Sequence, residues 1–167
     1  MDVGEKQKYI HYGSSEFDKN RFKPIKNGHL ESKPFGGLWA SPVDSKWGWS
    51  NWCKAEEFRL DALITSFSFV LTDEAKVLHL RSGSDVDKLP KYSPYADGNY
   101  PLTYIDFEAL AKDYDAIEAH LYEEQENVPW DELLCQRLWA WICDSILIMN
   151  PDIVVPVSGR FEWEESK

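Results

Sequence analysis

The chain has 167 residues, 43% of them hydrophobic and 28% charged, with a formal net charge of −11. That length suits one domain, residues 1–167, because two halves would each bury too small a core. The acidic balance excludes a broad phosphate-backbone surface, which requires clustered Lys and Arg.

In chain order, Lys8 to Tyr12 is a short β-prone run closed by a turn at Gly13-Ser14-Ser15. Glu16 to Pro34 is polar and basic without apolar periodicity, which predicts a long ordered loop. Gly36-Gly37 lead into a second strand, Leu38 to Ser41, stopped by Pro42. Trp49, Trp52 and Cys53 share a helical face, so Trp47 to Leu60 is expected to be an amphipathic helix. Ser66 to Leu71 alternates Phe67, Phe69 and Leu71 with Ser66, Ser68 and Val70, the period of a half-buried strand. Ala75 to Leu80 follows as a strand, with Thr72-Asp73-Glu74 as a hairpin-like link. Ser84 to Leu89 reads as a short helix capped by Ser84, and Pro90 to Pro101 as irregular.

Asp106 is a cap for a helix ending near Asp113, and Ala116 to Leu121 reads as a strand. A helix is expected from Trp130 to Trp141. Ser145 to Met149 is wholly apolar after its first residue and reads as a central strand. Asn150-Pro151-Asp152 is a turn, Ile153 to Val157 a last strand, and the acidic tail from Ser158 is expected to fray. Helices do not alternate regularly with strands, so the fold class is α+β, with two small, mostly antiparallel sheets and flanking helices.

Cys53, Cys135 and Cys143 form no disulfide framework, and no CxxC or HExxH is present, so no metal is expected. The first residues lack a leader's apolar run, and no apolar stretch is long enough to span a bilayer; a cytoplasmic protein without membrane contact is expected.

Three constellations carry candidate chemistry. His11-Tyr12-Gly13-Ser14 sets an imidazole at a strand end beside a turn where glycine lets a ligand approach the backbone. Gly36-Gly37-Leu38-Trp39-Ala40-Ser41 brings an indole after two glycines, suited to lying against a planar ligand. Glu118, within a strand, and Asp144, just before one, are carboxylates able to stabilise developing positive charge. Lys19, Arg21, Lys23, Lys26 and Lys33 lie between the first two constellations and could close over a pyrophosphate. Each motif also has a plain structural reading as core, turn or solvated surface.

Their joint order, from about Tyr9 to Val155, resembles the histidine-containing branch of the ADP-ribosyltransferases, which includes diphtheria-toxin-like enzymes and poly(ADP-ribose) polymerases. The resemblance implies a split NAD-binding core and cleavage of the nicotinamide–ribose bond, with ADP-ribose passed to an acceptor. It implies that His11 bonds the adenosine ribose, that Gly13 holds the nicotinamide amide, and that Trp39 stacks where the family usually has Tyr. Tyr12, Ser14, Lys33, Gly37 and Ser41 complete the expected NAD-binding set. The catalytic acid falls at Asp144, where the family has Glu, with Glu118 in reserve. A protein acceptor is favoured over nucleic acid, and a phage or bacterial effector, toxin or counter-defence role is implied. NAD glycohydrolase activity remains open, as do a non-catalytic module using Trp47, Trp49 and Trp52 against a protein, and an inhibitory protein without a small-molecule site.

Overall fold

The computed structural model describes residues 6–94, 103–121 and 132–157. β1 (Tyr9–Tyr12) buries Tyr9 and Ile10 and ends in a turn where Gly13 takes a φ of 103°. The expected loop after it is instead ordered as a 3₁₀ turn at Lys19–Arg21 and a hairpin of β2 (Lys26–Leu30) and β3 (Lys33–Phe35). Long-range bonds hold this hairpin. The Asn27 side chain donates to Asp106 Oδ1 (2.8 Å) and accepts from the Phe107 amide (2.9 Å).

β4 (Leu38–Pro42) leads to α1 (Trp49–Glu56), whose first amide donates to Ser41 Oγ at 2.9 Å. The helix stops earlier than its periodicity suggests, because Glu57 turns left-handed (φ 50°) and Phe58 N–H closes on Cys53 O. β5 (Ser66–Leu71) forms where its alternation puts it, but it is buried on both faces from Phe67 to Val70 rather than half-buried, because β1 and β11 flank it. β6 (Val77–Leu80) does not pair with β5; it lies at the far edge of the sheet. α2 (Gly83–Asp87) is capped by Ser82 rather than Ser84, with the Asp85 carboxylate accepting in return from the Ser82 amide.

β7 (Lys91–Tyr92) and β8 (Tyr104–Ile105) form a short ribbon inside and beyond the segment read as irregular. α3 (Phe107–Asp113) starts at Asp106, whose carboxylate accepts from Ala109 N–H as expected. β9 (Ala116–Ala119), α4 (Glu132–Arg137), β10 (Ser145–Ile148) and β11 (Val154–Pro156) complete the order. The tail from residue 158, and the start of the helix expected at Trp130, lie outside the described residues.

In place of two small sheets there is one seven-stranded sheet, ordered β11-β5-β1-β4-β10-β9-β6, beside the two ribbons. All its pairings are antiparallel except β6 with β9. β10 reads as a near-continuous apolar run because it is buried on both faces and paired on both edges. One face carries Leu80, Ile117 and Leu147 against Val86 of α2, Phe107 and Leu110 of α3, and Leu134 of α4. The other carries Tyr9, Phe69, Ile146 and Ile148, with Phe17 and Phe22 of the loop after β1 packed on them.

β4 divides its partners. Ser41 and Pro42 pair with β1, whereas Leu38, Trp39 and Ala40 pair with β10. β1 therefore parts from β4 beyond Ile10, although it stays paired to β5 as far as Tyr12. This parting opens the sheet beside His11.

Candidate functional site

The opening in the sheet is a hollow of about 290 Å³. It is lined by His11, Tyr12 and Gly13 from the end of β1, by Lys33, Trp39 and Ser41, and by Trp141, Cys143 and Ser145. A second lobe of about 320 Å³ shares His11 and Gly13 with the first but opens on the sheet face that carries Phe17, Phe22 and Leu38, with Ser14, Gly37 and Arg21 also lining it. Of the expected NAD-binding residues, His11, Tyr12, Gly13, Lys33, Trp39 and Ser41 line the first lobe, whereas Ser14 and Gly37 line only the second.

His11 Nδ1 lies 2.6 Å from Trp39 O, where the β1–β4 ladder has ended. A carbonyl can only accept, so Nδ1 carries the proton and Nε2 of the neutral ring is an acceptor. Burial lowers the pKa of His11 below its ordinary 6.5, outweighing the opposing effect of that bond, which keeps the ring neutral near pH 7.

Trp39 meets Trp141 edge-on, with ring centroids 4.7 Å apart, and Lys33 Nζ sits 4.8 Å from the Trp39 ring centroid. Trp141 is locked by its own N–H, which donates to Ser32 O at 2.5 Å. Burial lowers the pKa of Lys33. Arg59, left-handed at φ 47°, adds a second cation to the first lobe. Against a net charge of −11, this lobe has no carboxylate among the described residues; Glu16 and Asp18 stand on the wall of the second.

Burial raises the Cys143 thiol pKa, opposed by hydrogen bonds from Ser145 and Ser41, and only the thiolate attacks readily. Gly13 donates its N–H to Thr65 O (2.9 Å), so it offers a ligand room but not the amide donor expected of it. Gly37, at φ 75°, serves packing as well, since a Cβ there would lie 2.6 Å from Leu147 Cδ1 and 2.9 Å from Ile148 O.

Both candidate acids lie elsewhere. Asp144 is 5% exposed and accepts from Ser45 Oγ (2.9 Å) and from Leu121 N–H (2.8 Å), while its own amide donates to Trp47 O. It ties three chain segments together. Glu118 is also 5% exposed; it accepts from the Tyr9 hydroxyl and lies 3.6 Å from His120 Nε2. Neither lines either lobe.

Arg59 and Trp141 line the cleft without having been singled out in the sequence, and Trp49 lines it although the sequence offered it only for a protein contact. For Arg59 the signal was hidden by a helix pattern that runs past the point where the chain turns back. Of the Trp47–Trp52 group, Trp49 faces the cleft and stacks on Trp52 (5.4 Å, 18°), while Trp47 Nε1 donates to Ile142 O. All three are half-buried rather than spread on one open face. Among the described residues no helix is long and apolar enough to cross a membrane.

No family model, curated protein or solved structure matches the chain.

Proposed function

We propose that the chain binds NAD in the first lobe, around His11 and Trp39, and acts on it as an ADP-ribosyltransferase. The single observation that carries this reading is that His11, Tyr12, Gly13, Lys33, Trp39 and Ser41, scattered over thirty-odd positions of sequence, line one hollow. That hollow combines the features a dinucleotide requires: aromatic walls for a ring, cations for a pyrophosphate, and a neutral imidazole acceptor for a ribose hydroxyl.

NAD supplies an activated glycosidic bond, whose electron pair leaves with nicotinamide as the ribose carbon is attacked by the acceptor. In this reading His11 Nε2 accepts from the ribose and Trp39 orients the nicotinamide ring. Lys33 and Arg59 hold the pyrophosphate, and the Trp39–Trp141 pair keeps water from the reacting carbon. Neither Asp144 nor Glu118 fills the role of catalytic acid, because both are committed to bonds outside the cleft.

A second reading, a nucleotide-binding module without turnover, is favoured by one fact: the first lobe lacks a carboxylate among the described residues. Calorimetric titration of the full chain with NAD tests the shared premise. Saturable binding that weakens about tenfold or more in His11→Ala supports it, and no saturation up to millimolar NAD refutes it. Nicotinamide release, followed by chromatography, then separates transferase from silent binder.

A further inference from the structure

Outside the cleft, three side chains with metal-ligating atoms meet at the β6 edge of the sheet. His79 on β6 is the parallel register partner of Glu118 on β9, and His120 follows two residues later, so strand alternation sets all three on one face. Their nearest ligand atoms all lie within 4.8 Å of one another. His79 Nδ1 is 2.9 Å from His120 Nε2, and His120 Nε2 is 3.6 Å from Glu118 Oε2. None of the three lines either lobe of the cleft.

We infer that His79, Glu118 and His120 form a binding site for a divalent transition-metal cation of the zinc class. Ligands at 2.0–2.1 Å from a tetrahedral ion are about 3.3 Å from each other, and the two measured separations bracket that edge length. Two imidazoles and one carboxylate are the donor set preferred by such ions over magnesium or calcium, which favour all-oxygen shells.

The surroundings are arranged as a ligand requires. The Tyr9 hydroxyl donates to Glu118 Oε1, which leaves Oε2 turned toward His120. A metal-bound carboxylate is normally oriented by such an outer hydrogen bond. His79 is exposed and His120 half-buried, so the ion has a route in, and water takes the fourth position. Bound there, the cation offsets a buried carboxylate and staples edge strand β6 to β9.

The test uses the full chain, stripped with a chelator, dialysed, and titrated with zinc chloride by calorimetry and with cobalt(II) by visible absorption. One equivalent of zinc is expected, with the absorption of a four-coordinate cobalt site. His79→Ala and His120→Ala should each weaken zinc by about 100-fold or more, and Tyr9→Phe, which leaves the ligands intact, by about 10-fold. Zinc should raise the unfolding midpoint of the wild type and not that of His79→Ala. His79 is exposed, so that variant decides the matter if His120→Ala fails to fold. No saturable binding by the wild type overturns the inference. Equal affinity in both histidine variants does so as well, because it would assign the metal to other groups such as the cysteines.

Discussion

Replacing Asp144 separates a structural carboxylate from a catalytic one. Its Oδ1 accepts from the amide of Leu121, a residue only 3% exposed, and its Oδ2 accepts from Ser45. Hydrogen bonds to a charged group contribute about 1.5 to 3 kcal/mol each, and a buried amide left without an acceptor costs a similar amount. Asp144→Ala removes both bonds at once and should lower stability by about 3 to 5 kcal/mol, or about 10 °C in Tm for a chain of this size. Asp144→Asn keeps an oxygen for Leu121, and the Ser45 hydroxyl can reverse to accept from the new amide, so its cost should be about 1 to 2 kcal/mol. Urea unfolding with an unchanged m-value measures both, alongside nicotinamide release on the folded fraction. If Asp144→Ala unfolds at the wild-type midpoint while turnover collapses, Asp144 is the catalytic acid and the account of it as a joint between segments is wrong.

His11 gives a pH prediction. Its folded pKa lies below the unfolded 6.5, so the unfolded chain takes up the proton first on acidification. Its contribution is therefore intact above about pH 6.5 and is lost progressively as pH falls toward the folded value. His11→Gln should flatten that part of a stability–pH profile, and an unchanged slope would contradict a buried neutral ring. Gly37→Ala should cost about 3 kcal/mol through its clash with Leu147 and Ile148, against about 1 kcal/mol for Gly13→Ala, which meets no atom within 4 Å and bears only backbone strain. Equal losses in urea unfolding would discredit the packing role of Gly37. Lys33→Ala and Arg59→Ala should each raise the Kd for NAD about tenfold; unchanged affinity in calorimetry would remove that residue from the pyrophosphate site.

Legibility in the sequence followed from how local each determinant is. β5, with Ser and Phe alternating, and α3, capped by Asp106, are specified within a few residues, and both elements fold where the pattern puts them. The β2 arm of the hairpin is mostly exposed and without apolar period, and its anchor, Asn27, is satisfied by Asp106 and Phe107 some eighty positions away. No local period records such a bond. β6 looked like the second arm of a hairpin because a turn precedes it, but its partner is β9. The cleft was legible through His11, Gly13, Trp39 and Lys33 because strand ends and glycine turns mark where a sheet can open. The acids were not: a carboxylate beside an apolar strand can turn to the hollow or inward, and for Asp144 the amide of Leu121 decides. His79 and His120 escaped notice because metal-site spacings are read along one segment, whereas the register of a parallel pair unites these two.

The position of β10 has a consequence for how the chain acquires its shape. It lies inside the sheet between β4 and β9, yet among the described residues only the strand β11 follows it in the chain. Until Ser145 and its successors emerge from the ribosome, Ala40 and Ile117 belong to two ribbons with bare apolar edges. Joining them means closing a loop from Ala40 to Ile146, which makes assembly slow and late. A nascent or truncated chain ending before Ser145 would present two sticky strand edges to its neighbours, so chaperone occupancy during synthesis should fall only once that last inner strand has been inserted.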